Sequence, residues 1–342
     1  MPEFDITIEV PEARLAGTFT TPPGAGPFPA ALVIAGSGPL DRDGNARRVK
    51  LNASRDLARM LDAHGWATIR FDKRGVGAST GDYLPTGFSD ELADVEAALA
   101  WLADRPETGT LIAVGHSAGA SMAAELARGD SRVSAAVLLA LTAKTGEETL
   151  VWQAQEVAKT LPGLARFVLR LMRTDVASQQ RKALDKLRAT SADVVRMQGV
   201  RTNAKWMREF MAYDPIPALR DIAIPVLALT GSKDIQVDPA DLAVVARTVP
   251  SAETHVLPDV DHILRTELAA VSDIRRYKKQ ARTPMDPQVE AHIIGWLSRL
   301  GEMNSDATLQ HDRGDDGMVT AEGSPTATDL DMSSPGKGVT PG

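Results

Sequence analysis

Six short runs of apolar and β-branched residues recur along the chain: Ala30–Gly36, Ala67–Asp72, Leu111–Gly115, Val133–Leu141, Pro225–Gly231 and Thr254–Leu257. The longest of them, such as Ala-Ala-Leu-Val-Ile-Ala-Gly, lack the polar alternation of a strand with one wet face, so they require burial on both faces, as the strands of a parallel sheet do. Helical patterns fill the intervals. Leu92, Val95, Leu99 and Leu102 fall at i, i+3, i+7 and i+10, and Val289, Ile293, Trp296 and Leu300 mark the apolar face of a last helix that Asp286-Pro287 caps and starts. Strand and helix in alternation predict an α/β fold with a mostly parallel central sheet flanked by helices. Ahead of that sheet, Phe4–Val10 and Leu15–Pro22 read as an antiparallel pair leading into the turn-rich segment 22–29.

One segment breaks the alternation. Between Leu141 and Pro225 the pattern is helical with no convincing strand, and Trp152, Phe167, Leu171, Met172, Met197, Trp206, Met207, Phe210 and Met211 gather there. That is more apolar bulk than a connection needs, and it predicts a helical cap over a pocket. The expected organisation is a core over 1–142, a cap over 143–222, the second part of the core over 223–300 and a tail over 301–342. The tail holds eight acids, two bases, 19 Gly, Pro, Ser or Thr and no aromatic residue. Too little apolar surface is available there to offset chain entropy, so the tail is expected to be disordered.

The 342-residue chain as a whole, 43% apolar and 24% charged, has the makings of an ordinary soluble core. It contains no cysteine, which excludes disulfide frameworks, thiolate catalysis, iron–sulfur clusters and cysteine zinc sites. The net charge of −7 argues against a nucleic-acid partner held by phosphate neutralisation, and an acidic surface repels anionic lipid. The opening Met1–Val10 carries acids where a signal peptide needs bases, and no run approaches the roughly 18 apolar residues of a membrane span. A cytoplasmic protein without a membrane partner is expected, its chemistry left to oxygen and nitrogen side chains.

Gly115-His116-Ser117-Ala118-Gly119 follows the run Leu111–Val114 directly and precedes a helical stretch marked by Met122 and Leu126. A serine on so tight a strand-to-helix turn is a nucleophile elbow, and small residues two before and two after it let strand and helix approach. A neutral hydroxyl needs a base to take its proton and an acid to orient that base. In this topology the acid follows a late strand and the histidine the last strand. His64, His116 and His255 do not lie in such a loop, His292 falls in the last helix and His311 in the tail, which leaves His262. For the acid, Asp234 stands closest to the strand Pro225–Gly231. Asp238, followed by Pro239, reads as the cap of a helix over Pro239–Arg247, and Asp261 adjoins His262 too closely to reach its far ring nitrogen. The oxyanion of an acyl intermediate needs two donors: the Ala118 N–H, and the N–H of Ser37, whose flanking glycines let the backbone turn inward.

Two loops imitate other sites. Asp41, Asp43 and Asn45 resemble a calcium loop, but Ala46 stands in place of the required glycine and Asn52 in place of the glutamate. Lys73–Thr80 imitates a dinucleotide fingerprint without its third glycine, and Asp72 precedes it where no ribose-binding acid belongs. Both are expected to be scaffold bordering the site, so that neither a metal nor a cofactor is implied.

Gly-Ser-Gly-Pro-x-Asp-Arg-Asp-Gly at 36–44, Phe-Asp-Lys-Arg-Gly-x-Gly-x-Ser at 71–79, Gly-His-Ser-x-Gly at 115–119 and the opening Leu15–Pro22 together resemble the α/β-hydrolase superfamily. Within it they look most like bacterial EstD-type carboxylesterases of the serine-aminopeptidase-like group, over nearly all of residues 1–300. The resemblance implies a triad of Ser117, Asp234 and His262, a cap between the sixth and seventh strands that shapes an acyl pocket, and a small-molecule ester as substrate. Acyltransferases and thioesterases share that triad, and a binding protein that has kept the fold is the alternative from another class. The acidic tail has no counterpart in the resemblance.

Overall fold

β1 (Glu3–Val10) pairs antiparallel with β2 (Ala13–Thr20), as the opening alternation predicts. The computed structural model describes residues 1–161, 175–197 and 199–315, with side chains as far as residue 302. β3 (Phe28–Ile34), β4 (Ala67–Phe71), β5 (Thr108–His116) and β6 (Val133–Leu139) follow, with α1 (Ala53–Ala63), α2 (Phe88–Ala103) and α3 (Ala118–Gly129) between them. The inserted segment carries α4 (Gly146–Lys159), α5 (Val176–Arg188), β7 (Val194–Met197), β8 (Val200–Asn203), α6 (Ala204–Ala212) and α7 (Pro215–Asp221). β9 (Val226–Gly231), α8 (Asp241–Thr248), β10 (Ala252–Leu257), α9 (Tyr277–Gln280) and α10 (Pro287–Asp315) complete the described chain.

Eight strands form one sheet in the order β1-β2-β4-β3-β5-β6-β9-β10, and from β4 to β10 every neighbour is parallel. Ala30 to Ile34 and Val226 to Leu229 are at most 2% exposed, which is why these runs carry no polar alternation. In register, Ile34 lies beside Gly115, His116 beside Leu139, and Leu139 beside Leu229. The carboxyl ends of the four central strands therefore finish at one edge. The loops leaving that edge carry Gly36–Leu40, Ser117, Ala140 and Ser232–Asp238, the usual place for a site in an open parallel sheet.

The inserted segment departs from expectation in one respect: β7 and β8 pair as a hairpin where no strand was expected. Val194, Val195, Val200 and Thr202 supply its β-branched residues, and Gly199 takes a left-handed φ of 82° at the turn. Each strand is four residues long and mostly wet, too short for alternation to stand out. Val151, Ala177, Leu184, Leu187, Ala204 and Met211 make a small core within the cap, while Trp206 and Phe210 join the main core through Phe88. Phe167, Leu171 and Met172 lie outside the described residues.

The helix expected over Pro239–Arg247 begins instead at Asp241, after a turn whose amides Asp238 caps. Asp286 accepts from Gln288 N at 3.0 Å, and Pro287 follows it as the first residue of α10. Residues Met1–Trp296 form one compact unit and Leu297–Gly342 a second. Backbone helix continues to Asp315, past the residue where composition places the start of the tail, because 302–313 contain neither Gly nor Pro. The disorder expected for 316–342 falls outside the described residues. Among the described residues no helix is long and apolar enough to cross a membrane.

Candidate active site

Ser117 stands between β5 and α3 with φ 56° and ψ −125°, a conformation that a side-chain-bearing residue adopts only under constraint. The constraint is visible at the flanking glycines. A Cβ on Gly115 would stand 2.2 Å from Gly119 O, and one on Gly119 would stand 2.4 Å from Ile34 O, so strand, elbow and the neighbouring strand close on each other through bare backbone. Ala118 opens α3, and its amide belongs to the first turn, which has no intrahelical acceptor. The loop after β3 crosses directly over the serine: a Cβ on Gly36 would lie 3.2 Å from Ser117 Cβ and 3.7 Å from its Oγ. Ser37, Ser117 and Ala118 share the floor of one pocket of about 420 Å³.

His262 stands on the loop after β10. It and Ser117 line a second cavity of about 100 Å³ beside the first. His262 Nδ1 lies 2.8 Å from Asp234 Oδ2, with both side chains buried. Asp234 Oδ1 accepts the Gln236 and Val237 amides at 2.7 and 2.9 Å, which fixes the carboxylate on the loop after β9. The other two acids are engaged elsewhere. Asp238 accepts from Ala240 N and pairs with Lys144 Nζ at 2.9 Å. Asp261 turns Oδ1 to the Ile263 and Arg265 amides, and its Oδ2 is buried without a partner. Burial, reinforced by the Asp234 charge and opposed by those amides, pushes the Asp261 carboxyl up to about 6.

His116 is the residue that sequence reasoning passed over. Set aside there as a base, it ties the elbow to the loop of His262: its Nε2 donates to the His262 backbone carbonyl at 2.8 Å, and the two rings lie 4.9 Å apart. Burial and the neighbouring His262 push the His116 ring down to about 4, so it is neutral at pH 7 and carries the proton that this bond requires. The only available signal was its position, a histidine ending a buried strand and so obliged to find a buried partner.

Leu150, Trp206, Met207 and Phe210 of the cap wall the larger pocket, with Gln153, Gln236 and Arg201 among its polar lining. Trp206 and Phe210 stack at 4.8 Å. The carboxylates of the two imitating loops bond within the protein. Asp72 accepts from the Arg42 amide and guanidinium and from Ala78 N, Asp41 accepts from Asp43 N and Asn45 N, and Asp43 pairs with Arg70. Among the described residues no three His, Asp or Glu side chains gather as a metal site needs.

The chain is similar to several known hydrolases. Esterase EstD of Thermotoga maritima is 26% identical over 298 residues, spanning 86% of this chain and 67% of the relative. Est1E of Butyrivibrio proteoclasticus, solved with ferulic acid bound, shares the fold at a TM-score of 0.56 and 15% identity, covering 86% of this chain and 99% of that one. Proline iminopeptidase of Mycobacterium smegmatis does so at 0.58 and 16%, covering 86% and 98%. The family model for serine aminopeptidases, S33, matches residues 50–269, a span that runs from before α1 to beyond His262, and this α/β-hydrolase chain belongs to that family.

Proposed function

We propose that the protein hydrolyses carboxylic esters of small or medium acyl groups through an acyl-enzyme. Ser117 Oγ attacks the ester carbonyl as His262 takes its proton, and Asp234 holds the imidazole in the tautomer that presents Nε2. The Ser37 and Ala118 amides receive the oxyanion. Collapse of the intermediate breaks the bond to the alcohol, which leaves with the proton from His262. Water, deprotonated by His262, then attacks the acyl group and releases the acid and Ser117. These groups fill every role, so the scheme needs neither metal nor cofactor.

One observation carries this reading: a serine held at φ 56° lines a 420 Å³ pocket, and it shares an adjoining cavity with His262, which pairs with Asp234 at 2.8 Å. The lining favours an ester over a peptide amine. An aminopeptidase must neutralise its substrate's ammonium group, and among the described lining residues there is no Asp or Glu, while Arg201 carries the opposite sign. Acyl transfer and thioester hydrolysis use the same residues and differ in what enters or leaves. A binding protein that has kept the fold would have no need of an aligned serine, histidine and aspartate.

The test is turnover of p-nitrophenyl acyl esters of graded chain length, with a fluorophosphonate as label. Ser117→Ala should lower turnover by at least about 10³-fold and abolish labelling. Intact mass spectrometry that found the adduct on another residue, or undiminished turnover by the variant, would overturn the assignment.

A further inference from the structure

A buried ion pair lies directly behind the loop that crosses Ser117. Lys73 Nζ stands 2.9 Å from Glu91 Oε2 and donates to the Gly36 carbonyl at 2.7 Å, with Lys73 8% and Glu91 4% exposed at their side chains. Glu91 Oε2 also accepts from Trp206 Nε1 at 3.1 Å, and Glu91 Oε1 is buried without a partner. Burial raises the Glu91 carboxyl, and Lys73 and Trp206 pull it back. An ion pair this dry is a costly way to gain stability, since well-packed apolar residues do as well or better. Its geometry gives it another use.

The Gly36 carbonyl and the Ser37 N–H belong to one peptide plane, which is trans. In a trans peptide the carbonyl oxygen and the amide hydrogen point in opposite directions. Fixing the oxygen on Lys73 therefore aims the Ser37 N–H away from Lys73, and Ser37 lines the same pocket as Ser117, against which Gly36 packs. An ammonium on the carbonyl oxygen also draws electron density from the amide and makes its N–H a stronger donor.

We infer that Lys73 is a positioning residue that orients and polarises the Ser37 amide for the oxyanion, and that Glu91, held by Trp206 of the cap, keeps Lys73 in place. The inference rests on the hydrolase reading and assigns it a part that neither the elbow nor the triad contains. It also joins the pocket wall to the reacting centre, because Trp206 both lines the pocket and donates to Glu91.

The test separates transition-state stabilisation from structure. Lys73→Met leaves Glu91 buried and unpaired, so Lys73→Met/Glu91→Gln is made beside it; the double variant removes both charges and keeps an acceptor for Trp206. Both are assayed with a p-nitrophenyl ester and with a trifluoromethyl ketone, whose adduct on the serine carries a real oxyanion. The double variant should lose about 10- to 100-fold in kcat with KM within about threefold, and the inhibition constant of the ketone should rise by a similar factor. A folded double variant with wild-type kcat and wild-type ketone affinity would overturn the inference, as would a change confined to KM. Failure of the hydrolase reading is distinguishable, because Ser117→Ala would then turn over the ester at the wild-type rate.

Discussion

Asp234 accepts three hydrogen bonds, two from backbone amides and one from His262 Nδ1, and all three need an acceptor. An amide in its place has only one oxygen. Asp234→Asn should therefore keep the fold yet lose about 10³- to 10⁴-fold in kcat, as the imidazole turns to the wrong tautomer. Asp238→Asn keeps an acceptor for Ala240 N and gives up a half-wet pair with Lys144, which Asp241 still holds. That change should leave kcat within a few-fold and cost less than about 1 kcal/mol by thermal melting. Sequence alone could not order these two acids fully, since both lie in the nine residues after one strand and the loop's path decides between them. Two other buried groups set a pH response. The Asp261 carboxyl, raised to about 6, favours the folded state below its unfolded value and loses that contribution as pH rises through 6. His116, lowered to about 4, acts in the opposite direction: its contribution is present above 6.5 and is lost as pH falls through 4. Between these limits they offset each other. Asp261→Asn removes one arm, so acidification from pH 6.5 to 4.5 should destabilise it relative to the wild type by roughly 1–3 kcal/mol, read from urea unfolding at each pH. Parallel curves for the two proteins would refute the assignment.

Among the elements, the cap is fastened to the core at a single residue more than anywhere else nearby. Asn203 ends β8, accepts from Trp206 N at 2.9 Å to cap α6, and donates Nδ2 to the Tyr83 and Thr86 carbonyls at 2.8 and 2.7 Å. Lys205 with Asp90 and Glu209 with Ser89 N add wetter bonds across the same seam. Asn203→Ala should cost about 2–4 kcal/mol, the sum of a lost cap and two stranded carbonyls. Faster cleavage in the cap under limited proteolysis and a raised KM would accompany the loss; unchanged values would show that the wetter bonds suffice. The core strands were legible because burial on both faces leaves a run of apolar residues that nothing else explains. The β7–β8 hairpin was not, because four-residue strands with Arg196 and Arg201 exposed leave almost no pattern. The elbow was legible for a different reason: backbone contact at Gly115 and Gly119 admits no side chain, and the sequence has to record that. The Lys73–Glu91 pair leaves no such record, since a lysine in a loop and a glutamate on a helix read as surface until the fold buries both.

At the scale of the whole chain, residues 301–342 carry −6 of the net −7 and little apolar surface. Removing them after Leu300 should leave kcat and KM within about twofold and the melting temperature within about 2 °C, with a large shift in isoelectric point. A drop of several degrees would show that the segment contributes to the fold. The sheet carries a longer-range lesson. β6 and β9 are adjacent and parallel, and a connection between such neighbours needs only about a dozen residues, which α7 packed on α3 goes far to supply. Everything from α4 through α6 is an excursion from that short path, entered and left without disturbing the order of the strands. Ser117, Asp234 and His262 all lie outside the excursion, while Leu150, Trp206, Met207 and Phe210 lie within it. On the proposed function, choice of substrate and capacity to react are thus inherited on separate stretches of chain. A lineage, or an engineer, can exchange the first and keep the second, provided that the new excursion brings Glu91 a hydrogen-bond donor.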